Sequence, residues 1–183
     1  MATFVKKVCN VKYYEIEGIR AAGIVPYFIT GNKVFILVNK EFRDKKIVYN
    51  SIGGKVDLYD NCILDTAVRE FNEETGYIAS DLIRKEINQN IKVYLKKPKY
   101  ISYLIDVKNS LNWQLIPYNY RNIFQDIEVF NDRDSLELKW IDLYEFDHKN
   151  GSYLLNQLIF NIKNIKKFKK YDINKEPLFL VDE

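Results

Sequence analysis

Hydrophobic and polar positions follow two different periods along the chain, and the period separates expected strands from expected helices. Apolar runs rich in β-branched and aromatic residues fill residues 21–29 and 34–38, with Gly31 and Asn32 between them, which predicts a hairpin of two buried strands. Pro26 in the first run predicts an edge position or a bulge, because proline has no N–H to donate to a neighbouring strand. The other segments expected to be extended are residues 11–20, 91–95, 100–107 and 136–143.

A helical period begins after residue 60. Asp60 or Asn61 is the expected N-cap, since short polar side chains accept hydrogen bonds from the N–H groups of the first turn. Gly76 is expected to end the helix. Its apolar positions have the i, i+3, i+4, i+7 spacing of one buried face, namely Ile63, Leu64, Ala67, Val68 and Phe71.

Length and composition are those of one globular domain. The chain has 183 residues, 47% of them hydrophobic and 29% charged, which suffices for one full core. We therefore expect a single domain over residues 1–183. A long polar and aromatic stretch predicts an inserted, substrate-facing segment at about residues 108–134, and a C-terminal helix is predicted at about residues 153–168.

Charge and cysteine content narrow the expected partners and compartment. A net charge of +3 and a pI of about 8.6 suit an anionic ligand but fall short of a dedicated nucleic-acid protein. Cys9 and Cys62 have no CxxC spacing and no histidine nearby, so neither a disulfide framework nor a zinc site is expected.

The sequence starts without the pattern of a signal peptide and has no apolar run of the roughly 20 residues that span a membrane. A cytoplasmic protein with no membrane partner is expected.

Three acidic residues crowd one side of the first predicted helix. At about 100° per residue, Glu70, Glu73 and Glu74 occupy one arc that borders the buried face. Like charges at this spacing destabilise a helix by a few tenths of a kcal/mol per pair, and a cation such as Mg²⁺, which prefers oxygen ligands, offsets that repulsion. Glutamates on a helix are also commonly a solvated face, and their spacing alone leaves both alternatives open.

The glycine turn before this helix and the arginine beside the first glutamate favour the metal site. Gly54 and the segment REFNEETGY at residues 69–77 resemble the Nudix box, whose pattern is Gly, five residues, Glu, seven residues, Arg-Glu-apolar-any-Glu-Glu-any-Gly-apolar. The second half matches at every fixed position. In the first half Asp60 stands where the family has Glu, and eight residues separate it from Arg69. Either Asp57 or Asp60 therefore takes the role of that glutamate.

The resemblance covers about residues 18–146 and implies an α/β fold, a Nudix-like α/β/α sandwich around a mixed β-sheet. It implies a pyrophosphohydrolase that cleaves a nucleoside diphosphate linked to another moiety, such as ADP-ribose, a dinucleoside polyphosphate or a nucleoside triphosphate. The implied cofactor is Mg²⁺ or Mn²⁺, held by Glu70, Glu73, Glu74 and the Gly54 carbonyl. Arg69 would orient the glutamates by ion pairing, for which its planar guanidinium is suited.

The catalytic residues implied in this way are Glu73, Glu70 and Arg69. The general base varies within the family. Glu73 is our first choice for it, and Glu128 and Glu137 are candidates outside the box.

Basic and aromatic residues elsewhere are candidates for substrate contact. Arg43 and Lys46 precede the glycines and are expected to contact phosphates, although single loop charges are more often solvated. Tyr14 and Phe28 are expected to stack on a base, although strand aromatics more often belong to the core.

Two other functions stay open. A capped-RNA substrate, and thus an mRNA-decapping enzyme of the same family, is favoured by the basic residues 163–170 and the aromatic-rich residues 113–130, although a basic helix end also complements the helix dipole. The bias towards Asn, Ile, Lys and Tyr is found in AT-rich genomes, including those of large DNA viruses that carry such enzymes, and favours a viral-type member. The alternative of another class is a catalytically inactive, nucleotide-binding sensor.

Family members are often dimers, so a homodimer is expected.

Overall fold

The computed structural model describes residues 18–43, 46–76, 91–107 and 135–169, with the backbone alone at residues 42–43, 135–137 and 169. The expected entry strand at residues 11–17 and the expected insertion at residues 108–134 lie outside these ranges, and the single domain stays a prediction. The strands are β1 (Ala21–Thr30), β2 (Lys33–Arg43), β3 (Lys46–Asn50), β4 (Gly53–Lys55), β5 (Ile91–Leu95), β6 (Tyr100–Asp106) and β7 (Ser135–Asp142). The helices are α1 (Ile63–Thr75), α2 (Tyr153–Asn164) and α3 (Lys166–Lys169), with a 3-10 turn at His148–Asn150.

The predicted hairpin of β1 and β2 is confirmed. Thr30 pairs with Lys33 across the two-residue turn. β2 continues further than its apolar run predicts, because its second half pairs with β3 on one edge and with β7 on the other. The segment that holds Arg43 and Lys46, whose charges we expected in a loop, is therefore mostly a second hairpin, in which Arg43 pairs with Lys46.

β1 and β2 separate at one end of the sheet, and we call this separation the fork. The glycine turn at Gly53 and Gly54 lies there, paired with β1. β6 pairs in parallel with β1 over Ala21 to Tyr27. On the other edge of β1, β2 pairs only from Tyr27 onwards, and β4 pairs with Ala21, Ala22 and Gly23. Away from the hairpin turn, β1 and β2 thus separate and the chain of β3 and β4 runs between them.

The position of Pro26 corrects one expectation. β1 is a central strand of the seven-stranded sheet formed by the described residues, so Pro26 is not at an edge. It lies in the short stretch between Gly23 and Tyr27 where β1 changes its antiparallel partner from β4 to β2. A residue without an N–H is tolerated there because the ladder on that edge is already interrupted.

Helices cover both faces of the sheet, which confirms the predicted α/β/α sandwich around a mixed sheet. The face under α1 is packed with Ala22, Ile24, Leu37, Ile52, Ile101 and Tyr103. The opposite face meets α2 and α3 through Leu155, Leu158, Ile159, Ile162 and Phe168. On α1 itself the predicted apolar face is confirmed, with Phe71 and Ala67 fully buried and Val68 partly buried.

The start of α1 differs from the prediction. Its N-cap is Cys62, which makes no side-chain cap hydrogen bond, and Asp65 accepts from the N–H of Asn61 instead. Asp60 is engaged elsewhere, as described below. Cys62 is also disulfide-bonded, which corrects the expectation drawn from cysteine spacing, since spacing does not reveal which residues folding brings together. Gly76 ends the helix in the left-handed conformation as predicted.

The C-terminal helix is confirmed in two pieces. Ser152 caps α2 by accepting a hydrogen bond from the N–H of Leu155. The helix ends at Asn164, with Ile165 as its C-cap, before the short α3. Phe168 of α3 is fully buried against the ring of Tyr27. No helix in the described part of the chain is long and apolar enough to cross a membrane.

Candidate active site

The fork brings β4 directly against α1. Gly54 pairs with Ala22 of β1, and its α-carbon faces the carboxylate of Glu70 so closely that an added Cβ would lie 2.3 Å from the carboxyl carbon. Only glycine therefore allows backbone and carboxylate to approach in this way. The glycine turn and the carboxylate of Glu70 thus share one small space.

Arg69 connects the carboxylates of the helix to the preceding loop. Its Nη1 donates to Glu70 Oε1 at 2.7 Å and to Glu73 Oε2 at 3.2 Å. Its Nη2 donates to the carbonyl of Lys55 at 2.9 Å. The pKa of Arg69 lies above its usual value, chiefly because of its hydrogen bond to Asp60, so the guanidinium is permanently charged.

Asp60 is the acid that completes this network, which decides between the two alternatives left open by the sequence. Arg69 donates to it through Nε at 3.0 Å and Nη2 at 3.1 Å, and Thr66 Oγ1 donates to it at 2.7 Å. Its side chain is only 4% exposed. Asp57 is exposed and instead accepts from the N–H of Tyr59 within the turn.

The environment of Asp60 keeps it ionised. Burial by itself raises the pKa of this carboxyl group, but hydrogen bonds from Arg69, the Asp57 N–H and Thr66, together with the charge of Arg69, outweigh burial and hold the pKa below its ordinary value. A buried carboxylate with four donors around it is thus a fixed anion on which Arg69 is anchored.

The third box glutamate has a different partner. Glu74 Oε2 accepts a hydrogen bond from the N–H of Gly53 at 3.3 Å. Residues 18–43, 46–76, 91–107 and 135–169 contain no group of three or more His, Cys, Asp or Glu arranged to hold a metal ion. The ligand set of Glu70, Glu73, Glu74 and Gly54 stays a prediction.

The candidates for the general base differ in position. Glu73 is 33% exposed and Glu70 17% exposed, so water reaches Glu73 more readily. Glu137 lies in β7 opposite Lys40, and the structure describes only its backbone. Glu128 lies outside the described residues.

The predicted substrate contacts separate into two regions. Arg43 and Lys46 lie at the far end of the β2–β3 hairpin and not in a loop beside the glycines; no hydrogen bond or ion pair within the described residues joins Lys46 to the box. Phe28 lies on the face of the sheet that carries α1, with its ring stacked on Phe35 at 5.0 Å and edge-on to Trp140 at 4.9 Å. Tyr14 is outside the described ranges.

Sequence reasoning missed one residue at this site, Tyr100. It is buried beneath the glycine turn, and its hydroxyl donates to the carbonyl of Ile52 at 3.4 Å. Burial raises the pKa of Tyr100 far above its ordinary value, the neighbouring Ser51 opposes this, and the charges of Glu74 and Glu70 add to it. The signal in the sequence was the pair of glycines, Gly23 and Gly53, that make room for this hydroxyl.

Comparison with solved structures finds proteins of similar architecture. A C. elegans Ap4A hydrolase in a binary complex shares 18% identity, with 79% of this chain and 96% of that chain covered and a TM-score of 0.48. The NUDIX domain of Shewanella oneidensis NrtR, complexed with ADP ribose, shares 12% identity over 86% of this chain and 95% of that one, with a TM-score of 0.47. T. brucei MERS1, in complex with RNA, shares 13% identity over 81% and 57%, with a TM-score of 0.41.

Each of these TM-scores is below 0.5, so the matches carry no conclusion about this chain. No family model matches the chain, and no curated protein matches it. The chain's own structure agrees with the fold that the resemblance implied, since Gly54 and the segment at residues 69–76 lie on a strand and a helix that pack together on a mixed sheet.

Proposed function

We propose that this chain is a metal-dependent pyrophosphohydrolase of the Nudix type, which cleaves a nucleoside diphosphate linked to another moiety. The observation that carries the proposal is the Arg69 network. One guanidinium, anchored on the buried Asp60, contacts Glu70 and Glu73 beside the glycine turn. A solvated helix face would have no need of a buried anchor for its charges.

The donor chemistry of the site suits Mg²⁺ or Mn²⁺. Three carboxylates and a backbone carbonyl are all hard oxygen donors, of the kind both ions prefer, and the space at Gly54 accepts no side chain. In this proposal Glu70, Glu73, Glu74 and the Gly54 carbonyl hold the ion, which when bound would neutralise the diphosphate and polarise a water molecule.

The chain's own residues then have separate tasks. Arg69 keeps Glu70 and Glu73 oriented, because its Nη1 lies between their carboxylates. Glu73, as the more exposed of those two, accepts the proton of the attacking water. As the oxygen of that water bonds to phosphorus, the bond between phosphorus and the bridging oxygen breaks, and the leaving phosphate group takes the electron pair of the broken bond. Glu128 and Glu137 remain candidates for the same proton.

Phe28 is the proposed contact for the nucleobase. It is partly exposed on the face of the sheet that carries the box helix, where a base could extend its stack with Phe35. Lys46 is exposed at the far end of a hairpin, a location that supports a phosphate contact less well.

The basic C-terminal segment gives no specific support to a capped-RNA substrate. Lys167 is bound to Asp106 and Tyr27, and Lys163 lies over the ring of Tyr144 at 5.5 Å. Part of the basic charge therefore serves to hold the helices on the sheet. The small-nucleotide substrates remain our proposal, and capped RNA becomes an arm of the test.

The test measures hydrolysis of ADP-ribose, a dinucleoside tetraphosphate and capped RNA in parallel. The proteins are the wild type, Glu74→Gln and Glu73→Gln, and each is assayed with Mg²⁺ and with Mn²⁺. We expect hydrolysis of a small nucleotide only with metal, and a loss of about 100-fold or more for Glu73→Gln. Glu145→Gln, which alters an exposed carboxylate bonded to Lys33, is the control.

Three outcomes contradict the proposal in different ways. If only capped RNA turns over, the small-nucleotide substrate class is wrong. If both box variants hydrolyse as fast as the wild type, the catalytic assignment is wrong. If the wild type binds ADP-ribose but hydrolyses nothing in the panel, the chain is a sensor.

A further inference from the structure

One peptide group links the core of the sheet to a box glutamate. The carbonyl of Ile52 accepts hydrogen bonds from the N–H of Ile24 at 3.2 Å and from the hydroxyl of Tyr100 at 3.4 Å. The N–H of Gly53, which belongs to the same peptide group, donates to Glu74 Oε2 at 3.3 Å. In a trans peptide the C=O and N–H point in opposite directions. Whatever fixes the carbonyl therefore also aims the N–H.

This peptide needs to be held, because Gly53 has a φ of +149°, a region in which glycine rotates freely and other residues are strained. Rotation of the peptide would turn the N–H away from Glu74 and present a carbonyl oxygen to its carboxylate. Such a rotation would also break both bonds to the Ile52 carbonyl. Each of those bonds thus opposes the misoriented state.

The packing around the Tyr100 hydroxyl is specific to this contact. An added Cβ at Gly23 would lie 1.9 Å from that oxygen, and one at Gly53 would lie 2.4 Å from it. The hydroxyl thus occupies the space that two glycines leave open at the fork of the sheet. Tyr100 itself is 1% exposed, so its ring is enclosed by the core.

We infer that Tyr100 is a positioning residue, which holds the Ile52–Gly53 peptide so that the Gly53 N–H fixes Glu74 for metal binding. The inference rests on the proposed function, in which Glu74 is a ligand. Tyr100 touches neither substrate nor metal and acts through the peptide. Partners in the shell around a metal's ligands commonly change affinity by about 10–100-fold, and a residue one step further out is expected at the low end of that range.

The test compares Tyr100→Phe with Tyr103→Phe. Both changes remove one buried hydroxyl from the same strand, but Tyr103 faces α1 and its hydroxyl has no hydrogen-bond partner among the described residues. Two readouts are used besides activity: the Gly53 amide signal in ¹H–¹⁵N spectra of the metal-free protein, and the dissociation constant for Mn²⁺ alone by calorimetry. For Tyr100→Phe we expect an upfield shift of the Gly53 amide proton and about tenfold weaker Mn²⁺ binding. For Tyr103→Phe we expect neither.

The inference is overturned if Tyr100→Phe keeps the wild-type Gly53 signal and Mn²⁺ affinity, or if Tyr103→Phe loses affinity equally, which would mean general loosening of the core. A wild type that binds no Mn²⁺ is a separate result, since it contradicts the proposed function itself. The Gly53 signal in the metal-free protein still shows in that case whether Tyr100 holds the peptide.

Discussion

Asp60 and Arg69 form a two-point ion pair, with Nε and Nη2 of the guanidinium at 3.0 and 3.1 Å from the two carboxylate oxygens. The pair joins the loop before α1 to the middle of that helix. Asp60 stands where the family pattern has glutamate, and it contacts Arg69 through both of its carboxylate oxygens.

Replacing Asp60 by Asn should destabilise the fold markedly. The change leaves the charge of Arg69 partly buried without its main partner and weakens the bonds to Thr66 and the Asp57 N–H. We expect a loss of about 2 kcal/mol in the free energy of unfolding, measured by urea denaturation. Asp57→Asn is the matched control, at an exposed position in the same turn, and should cost less than about 0.5 kcal/mol. Equal losses for the two variants would contradict the anchoring role.

The same carboxylate should make stability depend on acid pH. The pKa of Asp60 is below its ordinary value of 3.8 in the folded protein, so between the two values the unfolded chain binds more protons than the folded one, and acid favours unfolding. The contribution of Asp60 is complete above 3.8 and is lost as the pH falls through its folded pKa. The difference in unfolding free energy between wild type and Asp60→Asn should therefore be constant from about pH 7 to about pH 5 and narrow below. A difference that widens in acid would refute this.

Phe28→Leu should weaken nucleotide binding more than turnover. Stacking of a base on an aromatic ring contributes about 1–3 kcal/mol, so KM should rise about tenfold while kcat changes little. Tyr49→Leu is the control, because Tyr49 lies on the opposite face of the sheet and packs edge-on to Phe146. Steady-state kinetics with the nucleotide identified by the substrate panel decides the matter. An unchanged KM would leave Phe28 as a core residue only.

The C-terminal helices should be held by apolar packing far more than by their surface charges. Phe168 is fully buried against Tyr27, and Phe168→Ala should cost about 3 kcal/mol. Lys167 is bonded to Tyr27 and Asp106 but is 43% exposed, so Lys167→Met should cost about 0.5 kcal/mol. Thermal unfolding distinguishes the two; a Lys167 effect as large as that of Phe168 would show that this ion pair is not screened by solvent.

The sequence predicts those parts of this protein that depend on local pattern. The period of apolar residues on α1, the hairpin at Gly31 and Asn32, and the stop at Gly76 are all short-range features, and they are confirmed. The metal ligands implied by the resemblance stay a prediction. The predicted N-cap, Asp60 or Asn61, is wrong, because the helix begins after Cys62. The folded chain uses Asp60 as the partner of Arg69 instead.

Features that depend on distant strands could not be predicted in this way. Pro26 suggested an edge because nothing in its neighbourhood shows that β1 exchanges partners there. Arg43 and Lys46 were expected in a loop because their neighbours are polar, but they lie in the strands β2 and β3, which pair with each other. Tyr100 is far from the box along the chain and reaches it only through the parallel pairing of β6 with β1.

The fork between β1 and β2 also has a kinetic meaning. The box helix and the first hairpin consist of residues that are close in sequence, so they can form early. The fork needs the pairing of β6 with β1, whose contacts span long loops. Tyr100 and Ile52 are separated by 48 positions, and Tyr27 and Asp106 by 79. Closing such loops is entropically costly and slows folding. If the protein binds Mn²⁺ as proposed, refolding protein should therefore regain helical signal well before it regains that affinity, because the glycine turn depends on these long-range contacts.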